Sequence, residues 1–566
     1  MNERRTPLRE QLSGRGPGYD DYADPDEPEF AGHGLEPLGG PSPAQAHADA
    51  LRHRPGTAFW ASIALILAFV AWAALSPDTL SGAMTAAINW STDTVGWSYL
   101  VVTTGCIFLL AYLAFSRFGR IRLGADTDRP EFSTWAWLAM ILSAVMGVGL
   151  ISYGVAEPIS HFVTPPHGLA DAGTPEAAVV AMQFSYFDWG PHAWAVFGVF
   201  GLAIAYSTHR KGNTGLVSPM LRPIFGKRVD GALGNVIDVF AIIATLFGTT
   251  TSLGLGASQI TEGLNRVFGL PTETFIQVLV IAVITVIFTL SALSGVNRGI
   301  KYISQITMVL SVGLGLYVFF LGPSNFISNL FVRSTGAYLG SFFEMSLLTP
   351  ITTDDSQWMQ WWTYFMMAWW LSWGAFVGVF LAKISRGRTI RQFVLGVMVV
   401  PSLVFFGWFT IFGGAAIKFD LDGGGAIGAA AGEDINSACF ERLSNLPLLG
   451  PTSDVAIILV VLFFISGADA NTFVLSMMSS RGALDPAKPV LATWGLLTGL
   501  CAALLLLMGG LVALQQAAML SALPFTIILA LLGISLILLL RKDPHFDSIR
   551  HVRRDELRTG MLRVSE

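Results

Sequence analysis

Apolar residues come in long blocks along this chain, with short polar stretches between them. Runs long enough to cross a bilayer occupy about 58–77, 96–116, 134–156, 178–208, 234–262, 273–296, 302–322, 357–385, 390–417, 453–479, 488–511 and 520–540. Each supplies close to the roughly 20 apolar residues that a helix rising about 1.5 Å per residue needs to span the hydrocarbon. The pattern predicts twelve transmembrane helices in an all-α polytopic membrane protein. Residues 1–55 are polar and rich in Pro, Gly, Asp and Arg. With so little apolar surface they are read as a disordered tail. The first apolar run lacks the short form and small-residue cleavage site of a signal peptide, so no segment is expected to be removed.

Basic residues orient the predicted spans. Seventeen Lys and Arg fall in the loops on the side of the N-terminal tail, from Arg117 to Lys488, against Arg266, Arg333, Lys418 and Arg442 on the other. An even number of spans and this excess predict two cytoplasmic termini in the plasma membrane. The chain divides into a tail over 1–55, a transmembrane unit over 56–541 and a basic tail over 542–566. That last tail either rests on anionic headgroups or is simply solvated.

Composition narrows the function classes. At 53% hydrophobic and 13% charged residues, with mean hydropathy +0.58, the 566-residue chain has the lipid bilayer as its partner and no nucleic acid. Cys106 and Cys501 fall in spans and Cys439 in a loop, which implies no disulfide framework. His192 is read as the only histidine well inside a span. With no Cys/His cluster, neither a transition metal nor an organic cofactor is expected, and the absence of a His/Cys/Glu cluster from the predicted spans disfavours an enzyme.

The most unusual stretch is QWMQWWTYFMMAWWLSWGAFVGVF, Gln357 to Phe380, with six of the sixteen tryptophans. Trp358, Trp361 and Trp362 suit an interfacial belt. Trp369, Trp370 and Trp373 lie roughly 17–23 Å deeper than Trp358, near the bilayer midplane, where no belt accounts for them. Trp369, Trp373, Phe376 and Phe380 share one helical face, with Trp370 on its flank. Buried indoles suit a desolvated organic cation, which their faces attract without a counter-charge in lipid. Other spans carry matching features. Gly147, Gly149 and Gly154 in LSAVMGVGLISYGVAEP either break the helix beside a cavity or let helices pack closely. In FDWGPHAWAVF, Trp189, Trp194 and Phe197 flank a Gly190-Pro191 break. Thr245 and Thr249 put two hydroxyls on one face, free to ligate an ion or to bond their own backbone. Asp188 and Asp469 are ionisable residues within spans, and Asp188 is a candidate for coupling.

Together, WLAMILSAVMGVGLISYGVAEP, FDWGPHAWAVFGVFGLAIAY, DVFAIIATLFGTTTSLGLGASQI and AWWLSWGAFVGVFLAKISRGRTIRQF resemble the betaine/choline/carnitine transporter family over about residues 58–545. The resemblance implies two peripheral helices followed by two inverted five-helix repeats in a LeuT-like arrangement, repeat one at about 134–322 and repeat two at about 357–541. It also implies alternating access and a homotrimer. By position, Trp189, Trp194, Phe197 and Trp370 match an aromatic box for a quaternary ammonium, and Trp369, Trp373 and Phe380 the aromatics lining its path. Met146, Gly147 and Gly149 belong to the broken helix whose amides would meet a substrate carboxylate. Thr245, Thr249 and Phe376 match one sodium site. A second would use Ser143, Met146, Phe463 and Ser466, with Gly467 in place of a serine. Phe197 replaces a tyrosine, Val145 a glycine and Asp188 a histidine of betaine carriers. The resulting expectation is a sodium symporter for glycine betaine or a related small compatible solute, sodium being the coupling ion. Alternatives are a proton-coupled or exchange carrier for choline, carnitine or ectoine and, from another class, a channel or membrane enzyme.

Overall fold

The computed structural model describes residues 55–145, 147–294, 297–423, 425–433, 449–483 and 485–543. Among these the architecture is helical, and the one pairing of extended backbone is an isolated bridge between Arg122 and Thr389. The first helices are α1 (Thr57–Leu75), α2 (Pro77–Val95), α3 (Trp97–Phe115), α4 (Thr134–Val145), α5 (Val148–Val163), α6 (Pro175–Trp189) and α7 (Pro191–Ala205). There follow α8 (Ala232–Phe268), α9 (Thr274–Ser294), α10 (Asn297–Leu321), α11 (Ser324–Gly340), α12 (Phe365–Ile384), α13 (Val400–Gly423), α14 (Leu449–Ser479) and α15 (Lys488–Arg541).

Eight helices among the described residues are individually long and apolar enough to cross a membrane. A ninth arises if α10 and α11, bent by 107° at Gly322-Pro323, count as one span. The difference from twelve lies in the breaks. The run 134–156 divides into α4 and α5 around Gly147, whose backbone is extended. The run 178–208 divides at Gly190, with Pro191 opening α7 where its missing N–H costs nothing. The last two runs merge into the 54-residue α15, kinked at Gly509 and at Gly510, whose φ of +61° suits only glycine. Two helices, α2 and α11, lie outside the predicted spans. α11 shows solvent- or lipid-facing Val332 and Leu339 beside buried Ile327, Leu330 and Tyr338, a periodicity too short in apolar content to read as a span.

Lipid-facing and enclosed helices separate cleanly. α9 exposes Leu279, Val283, Val286, Ile287 and Leu290 while burying Ile281, Ile284 and Phe288. Apolar surface on the outside as well as the inside is what a bilayer solvent selects. α12 is the most enclosed of the eight long spans. It packs on α7, where Gly374 and Gly378 face Phe200 so closely that a Cβ would lie 2.4 and 2.6 Å from that side chain. It also packs on α8, where Gly248 faces Ser372 and Trp373. Small residues at these crossings let the backbones approach, the usual device where lipid provides no hydrophobic drive between helices.

One end of the bundle is tied by charge. The Arg210 guanidinium, beyond α7, donates to both oxygens of Asp543, past the end of α15, at 2.6 and 2.7 Å, and to Asp126 at 2.8 Å. The Tyr206 hydroxyl donates to the same Asp543 carboxylate at 2.6 Å. Arg388 stacks on Trp137, 4.6 Å from the ring centre, while that indole N–H donates to Ser385 Oγ at 3.0 Å.

Candidate aromatic binding site

The site forms where the two broken runs meet α12. α6 begins with a Thr174 cap accepting from the Ala177 amide and Pro175 in its first turn, and it ends at Trp189 because Gly190 leaves helical geometry. That ending places Trp189 inside the bundle, buried and edge-on to Trp370 of α12, with centroids 4.8 Å apart and planes at 71°. Phe197 of α7 meets Trp370 at 6.1 Å and 83°, and Trp194 meets Phe197 at 5.8 Å and 87°. Trp189, Trp194, Phe197 and Trp370 therefore form one corner of nearly perpendicular rings, all four buried.

Trp369 stacks on Trp370 at 5.3 Å and 15° and on Phe365 at 5.5 Å, and it turns its edge to Trp373 at 6.4 Å. Trp373 and Phe376 meet at 5.6 Å. Gly149, in the first turn of α5, sits under Trp189 and Trp369, where a Cβ would be 2.9 and 3.1 Å from their ring tips. Gly147 caps α5 in extended geometry without a side chain. Met146, predicted beside it, lies outside the described residues. Phe380 is half-buried further along α12.

Hydrogen bonds fix the rings. The Trp370 N–H donates to the Asp188 carbonyl at 2.7 Å, and the Trp369 N–H reaches the Gly248 carbonyl at 3.4 Å. Trp189 donates to Glu157 Oε2 at 2.6 Å. With their N–H groups committed outward, the ring faces stay apolar and electron-rich, suited to a cation carrying methyl groups.

Among the predicted ion-binding residues, Thr249 donates its hydroxyl to the Thr245 carbonyl at 2.9 Å. Thr245 Oγ1 is buried and without a hydrogen-bond partner, as is the Trp373 N–H one helix away. Gly248, between the two threonines, faces Ser372 and Trp373 of α12, where a Cβ would lie 2.9 Å from the Trp373 ring. An orphaned buried hydroxyl fits an oxygen ligand for a small cation. Ser466 Oγ donates to the Phe463 carbonyl at 3.1 Å, and Gly467 offers no side-chain oxygen. The Ser143 side chain lies outside the described residues.

Two sequence readings need correction. His192 is not the only histidine inside a span: His161 is fully buried in α5, which runs through Pro158 to Val163 and does not stop near 156. Gly413 makes room for Pro158, since a Cβ there would stand 2.4 Å from its ring. Nor are the spans without a His/Glu cluster. Glu157, His161 and Asp188, all fully buried, bring one ligand atom each within 4.8 Å of one another. Glu157 was visible as an acid in an apolar context, but with the span ended one residue early it counted as a loop residue. Trp358 and Trp362, read as part of a belt, pack half-buried on His161 at 5.3 and 4.6 Å. Phe405 and Phe409 of α13, 5.9 and 5.0 Å from Trp189, complete the aromatic wall and have no distinctive spacing in the sequence.

An all-helical bundle of bilayer-length apolar helices, closing aromatic faces around breaks in two of its passes, defines a multispanning membrane transporter. Residues 57–545 match the betaine/carnitine/choline family transporter (BCCT) family, and the chain belongs to that family. It is 45% identical over 487 residues to the glycine betaine transporter OpuD of Bacillus subtilis, covering 86% of this chain and 94% of that protein. Against the ectoine/hydroxyectoine transporter of Virgibacillus pantothenticus it is 40% identical over 485 residues, covering 86% and 96%. With the betaine/ectoine transporter LcoP of Corynebacterium glutamicum it shares 39% over 505 residues, covering 88% and 80%.

Proposed function

We propose that this betaine-type transporter imports glycine betaine, or a related quaternary-ammonium compatible solute, across the cell membrane by sodium symport. The observation that carries the reading is the convergence of Trp189, Trp194, Phe197 and Trp370 from separate passes into one buried corner. In this corner each well-placed ring face contributes about 0.5–2 kcal/mol to a trimethylammonium. The amides at the break before α5, at Gly147 to Gly149, meet the substrate carboxylate, and Trp369 and Trp373 line the approach. Sodium binds near Thr245, Thr249 and Phe376, with Ser466 a weaker candidate, and couples by preferring one of two alternating states.

In this reading the helices pair into twelve passes, two peripheral and two inverted sets of five, with both termini cytoplasmic and three copies associating. The two broken runs, the bent α10–α11 pair and the second half of the kinked α15 supply the four passes beyond the eight long helices. Discontinuous helices at mid-depth are where secondary transporters hold substrates and ions.

Uptake of glycine betaine, choline, carnitine and ectoine into proteoliposomes, with sodium or potassium outside, tests the proposal. Sodium-dependent uptake of a methylated ammonium is expected, and Trp370→Leu should weaken it by roughly 2- to 30-fold, the equivalent of the lost ring contribution. Equal uptake in potassium would remove the sodium assignment. Unchanged affinity in Trp370→Leu would remove the box.

A further inference from the structure

Directly behind the aromatic corner lie Glu157, His161 and Asp188, each with no exposed surface. Both Asp188 carboxylate oxygens, Glu157 Oε1 and both His161 ring nitrogens lack hydrogen-bond partners, and His161 Nε2 faces Glu157 Oε1 at 3.8 Å. We propose that Glu157, Asp188 and His161 form a proton-binding site whose proton is released when a positively charged substrate nitrogen enters the aromatic corner. This proposal rests on the reading of that corner as a quaternary-ammonium site.

The chemistry follows from the neighbours. On α5 the next ionisable side chain is Tyr153. α6 adds Tyr186, bonded to Thr410, α7 adds the buried His192, whose Nε2 meets Ser346 Oγ at 3.1 Å, and α11 adds Tyr338, whose ring packs against Tyr186. Trp358 and Trp362 cover His161, with the His167–Asp355 pair beyond Trp358. On α13, Asp420 accepts the amides of Ile427 and Gly428, and Lys418 pairs with Asp422. The Ala426–Glu433 helix carries only its terminal Glu433. On α14, Asp469 accepts from Ser291, and on α8, Asp238 accepts from Ser218, while Glu262 and Arg266 occupy its last turns. Arg333 of α11 is exposed, 3.9 Å from Glu176. No lysine or arginine among the described residues forms an ion pair with the cluster. Two carboxyl groups this close and this dry share a proton, because a second bare charge has neither water nor a cation to offset it.

Two of the corner's three tryptophans hang on this cluster, Trp189 through Glu157 Oε2 and Trp370 through the Asp188 backbone carbonyl. A methylated ammonium against those rings supplies the missing positive charge, so the second carboxyl group ionises and its O–H proton passes to water on the open side. By reciprocity the ionised cluster holds the cation more tightly. Substrate affinity therefore rises with pH, by up to about tenfold per unit for one linked proton. A permanent cation such as choline shows the steeper slope, since the carboxylate of glycine betaine cancels part of its charge.

The test uses the full chain in lipid nanodiscs at constant saturating sodium. Dissociation constants for choline and glycine betaine are measured across the acid-to-neutral range, alongside infrared spectra of the protonated carboxyl stretch. The proposal expects a Kd that falls with rising pH, more steeply for choline, and a carboxyl band lost on substrate addition. It also expects both effects to be flattened in Asp188→Asn and in Glu157→Gln. A flat profile in the wild type, or a slope surviving in both variants, would overturn it. If neither compound binds, the quaternary-ammonium reading fails by itself, and the ligand-free spectra still decide the site. A band that titrates with pH and disappears in Asp188→Asn upholds it, and its absence at every pH refutes it.

Discussion

Gly149→Ala asks whether the aromatic corner is set by backbone proximity. The added methyl would lie 2.9 Å from the Trp189 ring tip, closer than packed carbons tolerate, and 3.1 Å from that of Trp369, a tight contact. Neither indole has slack. Trp189 is held by Glu157 and wedged against Trp370 and Phe409, and Trp369 is sandwiched between Phe365 and Trp370. Overpacking at such a site costs about 1–3 kcal/mol. If that strain falls on the substrate-loaded arrangement, affinity drops by roughly 5- to 150-fold. Tryptophan-fluorescence titration with glycine betaine measures it, and thermal unfolding of the purified protein separates loss of affinity from loss of fold. Gly313→Ala is the control, because nothing lies within 4 Å of a Cβ there. An affinity for Gly149→Ala equal to that of Gly313→Ala would refute the claim that this glycine sets the ring positions.

The remaining predictions concern the ion site and the charged tie. Thr245→Ala is expected to raise the sodium concentration for half-maximal uptake by roughly 10- to 150-fold, as for one lost bond to a charged group of about 1.5–3 kcal/mol. Thr249→Ala should act in the same direction, because donating its proton to the Thr245 carbonyl leaves the Thr249 oxygen lone pairs free for a cation. A sodium titration of uptake in which either variant leaves the half-maximal concentration unchanged would contradict the site. Arg210→Ala strands the fully buried Asp543 carboxylate and should destabilise the protein by about 3–5 kcal/mol. Thermal melts in detergent report it, with Asp543→Asn in the same background restoring part of the loss.

Much of this was legible from one dimension because the bilayer is a demanding solvent. Backbone groups in hydrocarbon must be satisfied locally, so every apolar run of the right length becomes helix. The tryptophans of α12 stood out because indoles at mid-depth have no belt to serve. Helix breaks were legible as Gly147 and Gly190-Pro191, yet their effect on counting was not. A run of the right length reads as one span whether its backbone continues or turns, and a kinked α15 reads as two. α2 and α11 escaped because a helix lying partly on others needs only one apolar stripe.

What the sequence determined by itself was composition at depth: which residues must lie in the membrane, and that uncharged aromatic faces, not acids, would dominate α12. Which of those residues meet was decided only by the packing of α5, α6, α7, α12 and α13. Trp189 reaches Trp370 across 181 positions, and Asp188 comes within 4.8 Å of Glu157 and His161, because α6 ends at Gly190 and α5 continues past Pro158. The physical reason is that helical periodicity fixes only what faces a common side within a few turns. Contacts between distant passes depend on where each helix stops and how closely glycines let their neighbours approach.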